Sequence, residues 1–265
     1  MIVIMRVLWR YRHFVIASVI NEFTLRFSRS KFGAAWGILN PIAQVAIYAL
    51  VLSDVLRAKI GGIDNPYSFA LYLSAGMSCW SLFNDIVSKG LNLFIANGNL
   101  IKKASFPRVL LLANLVGVCL LDNAMLFLIV FIFYAGTGHV PEMAILLWLP
   151  ILIFLTATMA SGFALILGTL NVFLRDIGQV IPVILQLAFW FTPIVYPINI
   201  IPPLAQDLLS FNPVYILVSA YQNILLFGNS PDVAGLAAVA AFVLIVIVTG
   251  GWLFGKAGAD MADAL

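Results

Sequence analysis

From Val109 to Ala135 the chain carries one charged side chain, Asp122. A run that long and apolar can cross hydrocarbon, which takes about 20 residues as a helix. No water reaches the backbone there, so the amides must bond within the segment, as a helix allows. The same pattern recurs along the chain: 63% of its 265 residues are hydrophobic and only 9% charged, with a mean hydropathy of +1.08. A soluble domain carries about 25% charged residues. The sequence therefore predicts an all-α integral membrane protein with no room for a separate soluble catalytic domain.

Six spans are expected, at about 34–56, 68–88, 109–135, 143–170, 177–197 and 233–254. The stretch NGNLIKKASFPR (97–108) interrupts them with a polar, basic loop outside the lipid, and Lys102, Lys103 and Arg108 assign that loop to the cytoplasm. Of the 14 basic residues only Arg57 and Lys59 then fall outside, and both termini are cytoplasmic. Residues 1–31 do not read as a cleavable signal peptide, because basic residues are spread through the segment. Leu8, Tyr11, Val15 and Val19 recur there at helical spacing. With Arg6, Arg10 and Arg12 nearby they describe an amphipathic interface helix whose cations lie near anionic headgroups. A helix packed on a partner protein is the alternative. Seven of the 12 prolines fall between Pro182 and Pro231, so residues 198–232 read as a re-entrant or interfacial outside segment of broken helix.

Chemistry is sparse. The sequence has no GxxxxGK[ST], GxSxG or HExxH. His139 and Glu142 lack further ligands nearby, so no metal is expected. Asp54, Asp85 and Asp122 form no DxxxD cluster, and Cys79 and Cys119 lie inside apolar spans as packing residues. Asp122, with Asn123, stands at a depth where an ionisable group normally faces a bundle interior or a water-filled path. Phe69, Tyr72, Gly76, Trp80 and Phe83 share one helical face. That face is either a packing stripe around Gly76 or the wall of a glycan path.

Five stretches, in order, resemble the membrane subunit of ABC-2 type polysaccharide exporters, with O-antigen export permeases nearest in likeness: LRFSRSKFGAAWGILNP (25–41), NLIKKASFPR (99–108), NVFLRDIGQVIPVILQ (171–186), FTPIVYPINIIP (191–202) and FNPVYILVSAYQNILLFGNSP (211–231). The resemblance implies one transmembrane domain over 1–265 in a bacterial inner membrane, assembled as a homodimer with two copies of a separate ATPase. It implies no cofactor in this chain, ATP and magnesium residing in the partner, and no nucleic acid. Asn97, Asn99, Lys102, Lys103, Phe106, Pro107 and Arg108 match the coupling segment that docks on the ATPase. Residues 198–231 resemble outside gate helices. Phe69, Tyr72, Trp80, Phe83 and Asp122 are candidates for the translocation path, and Arg6, Arg10, Arg12, Arg26 and Arg29 for a lipid headgroup or pyrophosphate.

A lipid-linked polysaccharide fits this design. Each sugar hydroxyl stripped of water costs several kcal/mol without a replacement partner, and aromatic faces let a chain slide. The rival reading is a membrane-embedded transferase or polymerase acting on lipid-linked sugars, with Asp122 or Asp85 as its starting residue. A passive channel or scaffold is the third.

Overall fold

The computed structural model describes residues 6–7, 9–28, 35–47, 65–102, 107–139, 141–258 and 260–264. Its elements are α1 (Arg12–Ser28), α2 (Ala35–Ile47), α3 (Ser68–Leu91), α4 (Leu93–Ala96), α5 (Gly98–Ile101), α6 (Val109–Gly136), α7 (Met143–Leu146), α8 (Leu149–Phe173), α9 (Ile177–Phe191), α10 (Pro203–Ser210), α11 (Pro213–Gln222), α12 (Val233–Ala257) and α13 (Asp260–Ala264). A 3-10 turn at Ile198–Ile200 precedes α10, and a π turn at Asn223–Phe227 extends α11. No strand occurs among the described residues.

α3 and α8 form the centre. α12 packs along α8, α6 lies on α3, and α11 closes over α3. α1 and α2 both sit against α6. Small residues make the central crossings close. A Cβ added at Gly90 would stand 2.4 Å from the Cβ of Ala164, and one added at Gly162 would stand 2.7 Å from Val246. Without a hydrophobic drive between helices in lipid, such backbone approach is what supplies contact.

Among the described residues, three helices are long and apolar enough to cross a membrane: α6, α8 and α12. α3 is of similar length but carries Ser74, Ser78, Asn84, Asp85 and Lys89. Its polar groups are largely met from within the bundle. Ser74 donates back to Leu71 O at 2.9 Å and Ser78 to Ser74 O at 2.8 Å. Asn123 of α6 donates to Ser78 O at 2.8 Å, and the Tyr134 hydroxyl to Leu71 O at 2.7 Å. These bonds fix α3 and α6 antiparallel.

Two expected boundaries move. The span placed at 143–170 is split, with the long helix starting at Leu149 and running to Phe173. Pro150 accounts for the restart, since proline suits the first helical turn, where its missing N–H costs nothing. The span placed at 177–197 ends at Phe191, because a residue preceding proline is pushed to extended backbone and Thr192 precedes Pro193. α9 is thus 15 residues long, about 22 Å. The far half of the first expected span, 48–56, and Arg57, Lys59 and Asp64 lie outside the described residues.

Beyond α9 the chain is broken as its prolines dictate, with α10 exposed and α11 half inside the bundle. Tyr221 of α11 is fully buried, its ring stacked 6.0 Å from Phe127 of α6. The left-handed Gly228 (φ 63°) ends the π turn. His139, in the turn after α6, lies 3.2 Å from Leu225 O and so ties that turn to the π segment.

Candidate functional site

Polar and charged residues gather in two regions, the flanks of α3 and the segment that leaves it. On one flank is an open groove of about 290 Å³ between α3 and α9, lined by Trp80, Asn84, Ser88, Pro182, Leu185, Gln186 and Phe189. Trp80 meets Phe189 at a ring distance of 5.6 Å. Aromatic faces thus stand beside two side-chain amides and a hydroxyl, a lining that offers both stacking and hydrogen bonds.

Around α3 from that groove, on the seam with α6, lies a charge cluster. Lys89 Nζ is 2.9 Å from Asp85 Oδ2 and 3.4 Å from Asp122 Oδ2. One ammonium thus bridges two carboxylates across the seam between α3 and α6. Asp122 is 13 residues into α6, about 20 Å from its start, which is mid-helix. The side chains are not sealed: Lys89 and Asp85 are about 40% exposed and Asp122 26%. Ionisable groups at that depth are costly against lipid and normally face a bundle interior or water.

The second region is the segment leaving α3. α4 and α5 make two short helical turns instead of the expected loop. Phe94 and Ile101 are buried, and Phe94 stacks 5.1 Å from Phe254 of α12. Asn171, at the end of α8, donates to Leu91 O at 2.8 Å and so takes up an orphan carbonyl of α3. Asn97 turns inward, its amide on Leu93 O at 2.9 Å. Ile95, Ala96, Asn99 and Lys102 are left on the outward face.

Residues 14–226 match the ABC-2 type transporter family. The chain belongs to that family. This ABC-2 permease is 26% identical over 267 residues, the full length of both chains, to the O-antigen export system permease protein RfbA of Myxococcus xanthus. It is 27% identical over 234 residues, 86% of each chain, to the protein of the same name from Klebsiella pneumoniae. It is 24% identical over 237 residues to the polysialic acid transport protein KpsM of Escherichia coli, covering 89% of this chain and 90% of that one. The permease is a membrane transport subunit related to polysaccharide export permeases.

The permease distributes the expected path residues between packing and groove. Tyr72 is buried, its hydroxyl donating to Pro193 O at 3.2 Å and Tyr196 O at 3.3 Å. Gly76 is covered by Gln222, Ile194 and Val218. Phe83 packs edge-on against Phe163 of α8 at 6.0 Å, and half-buried Phe69 leans on Tyr72. Trp80 borders the groove, and Asp122 lies in the charge cluster.

α1 packs on α6, with Val19 of the expected stripe seated at Gly117, whose missing side chain makes the seat, while Leu8 lies outside the described residues. Arg6, Arg10 and Arg12 are exposed, and Arg12 lies 4.8 Å from the centre of the Trp9 ring. The side chains of Arg26 and Arg29, and residues Lys103 and Phe106, lie outside the described residues. Pro107 is half-buried. Half-buried Arg108 donates from Nη1 to the Gly258 carbonyl at the end of α12.

Three groups escaped the sequence reading. Lys89 could have been found, since Asp85 precedes it by four residues and an Asp inside an apolar span calls for a counter-charge. The groove amides Asn84 and Gln186 could not, because their meeting depends on where α9 crosses α3. Asn171 sits in a quoted motif but without a visible role. Cys79 and Cys119 are buried and not joined in a disulfide, and among the described residues no group of three His, Cys, Asp or Glu is placed to hold a metal.

Proposed function

We propose that this permease forms the membrane half of an ATP-driven exporter that carries an undecaprenyl-linked, O-antigen-like polysaccharide across a bacterial inner membrane. It works as a homodimer of six-span subunits with both termini in the cytoplasm, each subunit bearing one copy of a separate ATPase. The observation that carries the reading is the partly exposed cluster of Asp122, at the middle of α6, with Asp85 and Lys89, in the last two turns of α3, near an aromatic and amide-lined groove. Lipid tolerates such a seam poorly, whereas a hydrated path for a polar chain suits it. The family and the named relatives supply the class of cargo.

In this reading the groove presents Trp80 and Phe189 to sugar faces and Asn84, Ser88 and Gln186 to hydroxyls. The lipid pyrophosphate is received by the exposed cations Arg6, Arg10 and Arg12, before and at the start of α1, with Arg26 and Arg29. The segment that carries Asn99, Lys102 and Lys103 receives the ATPase, and Phe106 and Pro107 complete it. The proline-rich stretch 198–232 is the outside gate.

The test is a vesicle holding permease and partner ATPase, supplied with lipid-linked polysaccharide. Movement of polymer that requires ATP supports the reading, and Lys102→Glu with Lys103→Glu then leaves the fold intact while abolishing that movement. In cells, loss of the gene leaves long lipid-linked chains inside and none outside. Loss of the polymer in both places would move the protein to synthesis, as the transferase reading requires.

A further inference from the structure

Four stretches remote in sequence meet where α3 ends. Asn171 of α8 holds Leu91 at the near end of the coupling segment, and Phe254 of α12 covers Phe94. At the far end, Arg108 reaches the Gly258 carbonyl, which terminates α12. The space between them is tight, for a Cβ added at Gly258 would stand 3.1 Å from Arg108 Nη1. The short helix α13 then folds back against α8, with Met261 fully buried and Ala257 nearly so. The carbonyls at a helix C-terminus lack intrahelical donors, and a cation there also meets the negative end of the dipole. The guanidinium of Arg108 is therefore well matched to its own chain.

We propose that Arg108 and the docked segment after α12 form an internal clamp, which pins the far end of the coupling segment to α12 and α8. The inference rests on the exporter reading above and changes the part played by one residue in it. Arg108 is a positioning residue that acts through Gly258, not a contact for the ATPase. Covalently the coupling segment joins only α3 and α6. Held at one end, it would hinge when pushed. Held at both, it passes the push to α8 and α12 as well, and those two helices make the most extensive contact in the bundle.

The experiment uses the reconstituted complex of permease and ATPase with Arg108→Ala, Met261→Asp and the double variant. Each single change is expected to lower polysaccharide moved per ATP hydrolysed about tenfold, with the ATPase still co-purifying, and the double to do no worse. Arg108→Lys restores most of the loss, because an ammonium can also serve a terminal carbonyl. A double variant down about a hundredfold, the product of the singles, would mean that Arg108 acts on the partner directly and would overturn the clamp. So would wild-type transport by Met261→Asp. Should that variant fail to accumulate, truncation after Gly258 replaces it and is read the same way.

A second readout needs no transport. In the purified permease, amide exchange at 98–102 should rise in Arg108→Ala and in Met261→Asp, and no further in the double. Unchanged exchange overturns the clamp. A wild-type complex that moves nothing with ATP sinks the exporter reading alone.

Discussion

α8 and α9 are neighbours in the chain, separated only by Leu174, Arg175 and Asp176, yet they are built for different surroundings. α8 is mostly buried and lined with Ala157, Ala160, Ser161, Gly162, Ala164 and Gly168, so its partners are helices of its own chain. α9 buries Leu185 alone and turns Val180, Val183, Ile184, Leu187, Trp190 and Phe191 outward. Equal apolarity thus encodes two things. Small side chains specify approach to a known neighbour, while large exposed ones specify only that water is absent. The fold of one chain settles α8, and α9 is finished by something else.

That contrast can be broken at α8 first. Gly90→Leu drives a side chain into Ala164, where even a Cβ has no room. It should cost about 3 kcal/mol, at the upper end of overpacking penalties, and should show as loss of the monodisperse peak and a lower melting temperature in detergent. Tolerance of leucine there would mean that the α3–α8 crossing is looser than described. Next in size is Lys89→Met, which leaves Asp85 and Asp122 facing each other without their shared cation. Transport per ATP should fall by about tenfold or more, while Asp122→Asn, which keeps the size and removes one of the two charges, should be far milder. Equal losses would separate Asp122 from the Lys89 pair and give it a role of its own.

Smaller effects belong to the groove and to α9. Asn84→Ala with Gln186→Ala should leave the melting temperature nearly unchanged but alter the transport rate several-fold, because these amides line an open groove and are not core. Val183→Ser, on the outward face of α9, should shift stability in detergent by within about 0.5 kcal/mol. A loss comparable to that of Gly90→Leu would show that α9 is held by its own chain after all.

How far the sequence foretold this follows from the same physics. Hydropathy found the helices because burial in lipid requires long apolar runs, and α6 matches its expected span to within a residue. It misplaced the start of α8 and the end of α9, where Pro150 and Pro193 act locally and apolarity continues unbroken. The charge rule assigned the loop that holds Arg108 to the cytoplasm, but it counts cations without seeing partners. Its partner lies 150 residues away, and only the packed bundle brings Gly258 to it. Lys89 was legible in part through its i,i+4 acid, but its bridge to Asp122 depends on the register between α3 and α6. The aromatic stripe on α3 was ambiguous for a related reason: spacing gives a face, and what covers that face is decided by α8, α9 and α11.

The fifteen residues of α9 carry one more consequence. Hydrocarbon in a bilayer is about 30 Å thick, so an α9 of about 22 Å spans less than three-quarters of it. In the six-span arrangement proposed above, lipid tails around a helix so short must compress or give way to protein. Compression would bring the two water phases closest together beside the groove, shortening the dry distance over which a hydrated polymer has to be escorted.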